Sequence, residues 1–217
     1  MLPITFGADH RGPLDILCIG AHSDDIEIGC GGTMLRLLAE RPGSRVTWVV
    51  LSGNAERQAE ARASAARFLA AAGSSEVIVA EFRESFFPYV AAEIKEFFEE
   101  LKRRGEPDVI FAHHRRDEHQ DHRTVAELTW NTFRNHLIAE YEIVKYEGDL
   151  GHPNLYVPID VETAERKVSL LLEGFPTQRE RSWFRPETFR GVMAVRAVEC
   201  NAPSGMAEAF HVRKMVI

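Results

Sequence analysis

The stretch LDILCIGAHSDD, residues 14–25, joins an apolar run of strand length to a histidine and two adjacent aspartates. Behind it, apolar residues recur at helical spacing, which predicts a helix over 31–41. A strand followed by a helix is the repeating unit of α/β folds. The stretch therefore predicts a first strand at 14–20 with polar residues placed directly after it.

The same order of strand and helix recurs three more times along the chain. Apolar runs and helical patterns alternate over 45–52, 56–73, 76–82, 89–104, 107–114 and 121–136. Parallel neighbouring strands need crossover connections, so four such units predict a mostly parallel sheet with helices on both faces. The predicted fold is an α/β, Rossmann-like three-layer sandwich.

The pattern is weaker after residue 140. Runs at 141–148, 155–160 and 191–199 are typical of strands, and 161–173 is typical of a helix. No repeat or linker divides the chain, and 217 residues suit one core that buries about 70% of the surface of the unfolded chain. We therefore predict a single domain over residues 1–217.

Composition and charge argue against several classes of protein. The chain is 45% hydrophobic and 27% charged, and it has no apolar run near the ~18 residues of a membrane span, so we expect no membrane partner. The net charge of −7 argues against nucleic acid as a partner. Three cysteines without C-x-x-C spacing favour neither a disulfide framework nor a cysteine zinc finger. The first ten residues lack the features of a secretory signal, so a cytoplasmic location is expected.

A second polar cluster, HHRRDEHQDH at 113–122, follows the fourth predicted strand. Ligands of open α/β sheets bind at the carboxyl ends of strands, so this cluster and residues 21–25 are expected to meet at one edge. Neutral imidazole and carboxylate suit a divalent transition metal, and a catalytic zinc site needs about three such ligands and an open position. The candidate ligands are His22, Asp24, Asp25, His113, His114, Asp117, His119, Asp121 and His122.

Spacing and charge narrow this set of candidates. Neighbouring side chains at the start of an extended loop point in opposite directions, so Asp24 and Asp25 are not expected to bind one metal together. One would ligate the metal, and the other could face the substrate. His119 and His122 lie three residues apart at a predicted helix start, so both can reach the same site. Several carboxylates and imidazoles buried together need a compensating charge, which a bound cation supplies.

The glycines at 29, 31 and 32 do not form a dinucleotide-binding loop. Their G-x-G-G spacing differs from G-x-G-x-x-G, and the two preceding aspartates would repel a pyrophosphate. We expect these glycines to allow a tight turn and a close approach of the first helix to the sheet.

Two motifs resemble the signatures of the PIG-L/LmbE-like zinc-dependent N-acetylglucosamine deacetylases. AHSDDIEIGCGGT, residues 21–33, is similar to A-H-P-D-D followed by G-G-T, and HQDH, residues 119–122, is similar to H-x-D-H. They occur in the family's order, and the resemblance extends from about residue 14 to the tail. It implies a hydrolase that removes the N-acetyl group from an N-acetylglucosamine-type sugar or glycoconjugate by metal-activated water.

The resemblance also implies roles for individual residues. One Zn²⁺ per chain would be held by His22, Asp25 and His122. The catalytic residues would be Asp24 as general base, His119 as a group that assists the tetrahedral stage or protonates the departing amine, and Asp121 as the residue that orients His119. Arg57 in ERQAE matches the family's R-x-x-E and is a candidate sugar contact, with a solvated arginine on a helix face as the alternative.

The chain departs from the family pattern at three positions. Ser23 replaces the usual proline of the first motif, and Ile26 replaces a frequent acidic residue. Asp117 stands where other branches have a tyrosine that donates to the oxyanion. The sequence therefore does not identify a protein group that stabilises the oxyanion, and zinc itself could carry more of that task.

Two alternative functions stay open at this point. A metallo-β-lactamase-like hydrolase would use H-x-H-x-D-H, of which DEHQDH is an echo, but it would leave residues 21–25 without a role. A non-catalytic sugar- or metal-binding relative would have no need of a base beside the metal. The exact N-acetyl sugar, its aglycone, the divalent metal used in the cell and assembly into a homo-oligomer are left open by the sequence.

Overall fold

The computed structural model describes residues 12–216. Within these residues, seven strands form one sheet in the order β3-β2-β1-β4-β5-β7-β6, and six α-helices pack on it. The elements are β1 Asp15–Gly20, α1 Asp25–Glu40, β2 Arg45–Ser52, α2 Ala55–Phe68, β3 Ser74–Phe82, α3 Ala91–Lys102, β4 Val109–His113, α4 Gln120–Thr132, β5 Leu137–Tyr141, β6 Leu155–Pro158, α5 Val161–Gly174, α6 Pro186–Cys200 and β7 Ala207–His211.

The sheet is parallel except at one strand. β1 pairs in parallel with β2 and β4, β2 with β3, and β4 with β5, while β7 runs antiparallel to both β5 and β6. This arrangement confirms the predicted α/β, mostly parallel sandwich. Because β1 and β4 are adjacent and parallel, the polar residues that follow them lie at the same edge of the sheet.

Both faces of the sheet are buried, which explains why the strands are continuous apolar runs. Along β1, Ile16 and Cys18 belong to the core under α1, α2, α5 and α6, whereas Leu17 and Ile19 belong to the core under α3 and α4. Burying one such aliphatic side chain contributes roughly 1.5–3 kcal/mol, so the two cores hold the edge of the sheet rigidly in place. No helix in residues 12–216 is long and apolar enough to cross a membrane.

Two predicted strands are wrong. Residues 191–199 lie within α6, where Phe189, Met193 and Ala197 are four residues apart and are buried together, which is helical spacing. The valines between them suggested a strand by their β-branching alone. Of the predicted strand at 141–148, only its first residue lies in a strand, because β5 ends at Tyr141. A loop then extends as far as β6.

The helix α1 begins six residues before its predicted start and is kinked at Cys30, whose φ is −142°. The glycines lower the helical propensity of this segment, which is why the pattern underestimated it. A Cβ at Gly29 would lie 2.3 Å from Cδ2 of Tyr141, so the predicted need for close approach is confirmed, with an aromatic ring from β5 as the neighbour.

Two buried charged residues satisfy the backbone groups around the kink. Nζ of Lys167 donates to the carbonyl oxygen of Ile28 at 2.7 Å and to Glu208. The Glu208 carboxylate accepts from the backbone N–H groups of Gly32 at 2.8 Å and Thr33 at 2.6 Å. The pair therefore replaces hydrogen bonds that an unbroken helix would make within itself.

Candidate active site

The predicted site residues come from two neighbouring strand ends and one helix. Residues 22–25 follow β1 and begin α1, residues 119–122 begin α4 after β4, and Arg57 lies in the first turn of α2. The side chains of His22, Asp24, Asp25, Asp121 and His122 are buried, and those of Arg57 and His119 are partly exposed. The structure therefore brings the two polar clusters together, as the sheet topology requires.

Three side chains converge with the spacing of metal ligands. Nδ1 of His22 lies 3.1 Å from Nε2 of His122 and 3.4 Å from Oδ2 of Asp25, and Oδ1 of Asp25 lies 3.5 Å from Nε2 of His122. Ligand atoms around a tetrahedral zinc at 2.0–2.2 Å are about 3.3–3.6 Å apart. The donor atoms therefore fit a zinc ion.

Two further candidate groupings overlap with this triad. In the described residues, His22, His119 and His122 form one group, and Asp25, His113 and His122 form another, each with donor atoms within 4.8 Å of one another. Both groups contain His122. Any metal held at this edge is therefore expected to use His122.

A carboxylate holds the far nitrogen of each imidazole in the triad. Oδ2 of Asp121 lies 3.2 Å from Nε2 of His22, and Oδ2 of Asp117 lies 2.9 Å from Nδ1 of His122. A carboxylate only accepts, so each far nitrogen carries a proton and each neutral ring turns its lone pair toward the other. Such carboxylate–imidazole pairs are typical of metal ligands, whose orientation they fix.

The position of Asp121 differs from the sequence prediction. Its carboxylate contacts His22 and accepts from the backbone N–H groups of Ser85 at 2.6 Å and Phe87 at 3.1 Å. Its contact with His119 is made by its backbone N–H, because the first turn of α4 points the side chain toward the loop after β3. Burial raises the pKa of Asp121, but these hydrogen bonds outweigh it and hold the pKa below its usual range.

The surroundings of His22 are strongly negative. Burial disfavours its imidazolium form, yet Asp25 and Asp121 raise the pKa of His22 to about 10. A divalent cation would compensate the same charges.

Asp117 makes contacts at the site that the sequence did not reveal. Its Oδ1 accepts from the backbone N–H of His119 at 2.8 Å and lies 3.1 Å from Nζ of the buried Lys145, while its Oδ2 holds His122. Burial raises its pKa, but His122 and Lys145 hold the pKa of Asp117 well below its usual range. The one signal in the sequence was its position five residues before His122. From that position, an aspartate side chain can contact residues at the start of the following helix.

The Asp24 carboxylate forms an ion pair with a residue of α2. Its Oδ1 lies 2.7 Å from Nη2 of Arg57, whose Nη1 lies 3.3 Å from Oε1 of Glu84. Burial raises the pKa of Asp24 to about 6, against the opposing effect of Arg57. The two adjacent aspartates therefore have different partners, as their predicted opposite directions required.

His119 is the N-cap of α4. Its Nδ1 accepts from the backbone N–H of Asp121 at 3.2 Å, so a neutral ring carries its proton on Nε2. Its ring centroid lies 4.8 Å from that of His22 and 4.6 Å from that of His122. Burial and the charge of His22 lower the pKa of His119, which favours the neutral ring with an N–H available as a donor.

The two histidines at the end of β4 have different surroundings. The ring of His113 stacks on that of His122 with centroids 3.9 Å apart, inside the site. His114 instead turns toward the next strand, where its Nδ1 lies 2.7 Å from Oε2 of Glu140. Of this pair of candidates, the structure brings only His113 to the site.

Solved structures share this fold. N,N'-diacetylchitobiose deacetylase from Pyrococcus horikoshii is 21% identical, with 92% of this chain and 83% of that chain covered and a TM-score of 0.70. The 4-carboxy-2-hydroxymuconate hydratase from Pseudomonas putida KT2440 is 17% identical, with 94% and 98% covered and a TM-score of 0.73. The zinc inhibited form of teicoplanin deacetylase is 12% identical, with 93% and 98% covered and a TM-score of 0.68. These likenesses establish the fold alone, because one fold can host different chemistries.

The sequence comparisons are more specific. No match is found among curated protein sequences. A family model described as PIG-L, GlcNAc-PI de-N-acetylase, matches residues 17–133, which is more than half of the 217-residue chain and includes both motifs. With the triad of His22, Asp25 and His122 inside the matched segment, the chain belongs to the PIG-L family.

Proposed function

We propose that this protein is a zinc-dependent hydrolase that removes the N-acetyl group from an N-acetylglucosamine-type sugar or glycoconjugate. The observation that carries the proposal is the facing pair of imidazole lone pairs, with Nδ1 of His22 and Nε2 of His122 only 3.1 Å apart. Two lone pairs at this distance repel unless a cation or a proton lies between them. With Asp25 beside them, the donor set is two imidazoles and one carboxylate, which is typical of catalytic zinc.

His22, Asp25 and His122 would hold one zinc ion per chain. Bound zinc lowers the pKa of water to about 7 and polarises a carbonyl oxygen. Asp121 and Asp117 keep the two imidazoles in the tautomers that such binding needs. In this proposal, Asp121 acts on His22 and leaves the orientation of His119 to the backbone of α4.

Asp24 is the proposed general base. It takes a proton from the water that attacks the acetyl carbonyl, and Arg57 holds Oδ1 of its carboxylate. Burial raises the pKa of Asp24 to about 6, and a divalent cation beside it would lower the pKa and keep the carboxylate ionised for this task.

His119 is the proposed general acid. As a neutral ring, His119 would donate a hydrogen bond from Nε2–H to the oxygen of the tetrahedral stage. To protonate the departing amine, it would first have to take up the proton that the general base removes from the attacking water and act as the imidazolium. The ring is partly exposed, which suits a residue that meets a substrate. Arg57 stays our candidate sugar contact, because its side chain is 14% exposed and links the base to the exposed rim at Glu84.

The two alternatives differ from this proposal in specific ways. A metallo-β-lactamase-like fold is built from antiparallel sheets, whereas this sheet is antiparallel only at β7. A non-catalytic relative would bind zinc or a sugar without turnover. The proposal that the substrate is a small-molecule amino sugar therefore has to be tested by detecting the product of the reaction.

The deciding experiment is acetate release from a panel of N-acetyl sugars. The protein is assayed after removal of metal with EDTA and again after addition of one equivalent of zinc. We expect acetate only from the zinc-loaded protein, with one zinc per chain by elemental analysis. Zinc binding without acetate from any N-acetyl sugar would support the non-catalytic relative, and two metals per chain would favour the metallo-β-lactamase-like alternative.

Arg57→Lys and Arg62→Lys form a matched pair in that assay. Both positions lie on α2, but the guanidinium of Arg62 contacts the carbonyl oxygen of Val77 and is exposed. We expect Arg57→Lys to raise KM and lower kcat, since a single ammonium cannot reproduce the two guanidinium nitrogens that bond Asp24 and Glu84 separately. We expect Arg62→Lys to leave both constants unchanged.

A further inference from the structure

A buried histidine that the proposed chemistry does not use lies beneath the site. His113 ends β4 and is fully buried. The backbone N–H of Ala21 donates to its Nε2 at 3.0 Å, across the boundary between β4 and β1. Its ring stacks on that of His122 with an interplanar angle of 19°. His113 therefore touches both ligand-bearing segments of the site.

The hydrogen-bond pattern assigns the roles of the two ring nitrogens. Nε2 accepts from the main chain, so the proton of the neutral ring lies on Nδ1, which finds no partner among residues 12–216. Oδ2 of Asp25 lies 3.1 Å from the same Nε2. The same nitrogen therefore lies beside both the main-chain N–H of Ala21 and the carboxylate of the candidate ligand Asp25. The ring is placed where it can fix the main chain next to the candidate metal site.

We propose that His113 is a positioning residue that fixes the backbone of Ala21, and through it the metal ligand His22, for zinc binding. This inference rests on the proposed function of the site. Ala21 is the last residue before His22, and its N–H has no ladder partner on β4 beyond this side chain, because the paired positions of β1 and β4 end at Cys18 and Phe111. A buried N–H without an acceptor is unfavourable, and a shift of the segment that carries His22 is the way to relieve it.

Two substitutions separate the hydrogen bond from the stacking. In His113→Gln, the amide oxygen can accept from Ala21 at about the reach of Nε2, while the ring is lost. In His113→Phe, the ring remains to stack on His122, while the acceptor is lost. Gln and Phe are both uncharged, so the two variants have the same net charge and long-range electrostatics does not obscure the comparison between them.

The measurement is the zinc dissociation constant, obtained by competition with a chromophoric chelator, alongside the unfolding temperature in EDTA. We expect His113→Phe to weaken zinc binding about 10- to 100-fold and His113→Gln to restore it to within about 3-fold of the unmodified protein. The matched control is His114→Gln, at a neighbouring residue outside the site, which we expect to leave zinc affinity unchanged. A purely structural role would lower the unfolding temperature of both His113 variants in EDTA without this split in affinity.

Other outcomes would overturn the inference in recognisable ways. Equal loss of zinc in both variants would make His113 a direct ligand, and loss in His113→Gln alone would make the stacking decisive. Unchanged affinity in both would remove His113 from the site altogether. Zinc binding with no acetate release would contradict the proposed function. The ratio of the zinc dissociation constants of the two His113 variants would still decide the role of His113.

Discussion

Two buried polar clusters lie about one and a half helical turns apart on α1, and their charges are balanced in different ways. At the kink, the Lys167 ammonium faces the Glu208 carboxylate, and their remaining hydrogen bonds go to backbone groups of α1. At the start of the helix, Asp24, Asp25, Asp117 and Asp121 outnumber the cations Arg57 and Lys145. In the kink cluster, the two charges compensate each other. In the site cluster, the carboxylates outnumber the cations. This excess supports the proposed metal site, because a bound cation would compensate it.

The largest expected effect comes from replacing Asp24, the proposed general base in the site cluster. Asp24→Asn removes the group that accepts a proton but leaves the triad of ligands intact. We expect kcat to fall about 1000-fold, with zinc content unchanged by elemental analysis. His22→Ala is the counterpart, and it should lose the zinc. A zinc-depleted Asp24→Asn together with a fully loaded His22→Ala would reverse the two assignments.

A change in the kink cluster should act on stability and leave the metal in place. Lys167→Met leaves the buried Glu208 without its counter-ion, so we expect the free energy of unfolding to fall by about 3 kcal/mol in urea titrations. The double variant Lys167→Met/Glu208→Gln should recover part of that loss, because it removes the uncompensated charge. If the single variant instead lost zinc affinity with unchanged stability, the distinction between the two clusters would not hold.

Metal removal should affect the site cluster alone. At a free zinc concentration 100 times the dissociation constant, binding adds about 2.7 kcal/mol to the stability of the folded state. We expect EDTA to lower the unfolding temperature of the unmodified protein and of Lys167→Met equally, but not that of His22→Ala. Calorimetric scans with and without EDTA measure this, and an unshifted transition in the unmodified protein would count against the metal site.

Glu27, which lies on α1 between the two clusters, gives the smallest expected change in the free energy of unfolding over one pH unit. Both its carboxyl oxygens are buried without a partner in the described residues, and burial raises the pKa of Glu27 to about 8. The unfolded chain therefore loses this proton near pH 4.5 and the folded chain near pH 8, so stability falls by up to about 1.4 kcal/mol per pH unit between them. Glu27→Gln should remove that slope in urea titrations at pH 5 to 8, and an unchanged slope would show that another group causes it.

The sequence predicted the part of the molecule that depends on local pattern. Buried parallel strands are continuous apolar runs, so β1 and β4 and the polar residues after them were recognisable, and the family match confirms the resemblance. The convergence of His22, Asp25 and His122 followed from sheet topology, although their roles stay proposals. A cytoplasmic location and a single domain over residues 1–217 stay predictions as well.

Contacts between distant segments could not be derived in this way. Lys145 reaches Asp117 from the loop after β5, and Glu208 reaches α1 from β7, a strand that the pattern did not indicate. Their partners depend on tertiary packing, for which the spacing of a single sequence holds no signal. The partners of the Asp121 carboxylate could not be predicted for the same reason, because the main-chain donors of Ser85 and Phe87 come from another loop.

The attachment of Glu208 to the kink has a consequence for how the chain is made. The acceptor for the amides of Gly32 and Thr33 is synthesised some 175 residues after those amides themselves. Until β7 has docked, those amides must donate their hydrogen bonds to water, and the helix that carries Asp25 lacks its hydrogen bonds to Glu208. A nascent chain arrested before residue 207 should therefore resist proteolysis less around its first motif than the finished protein does.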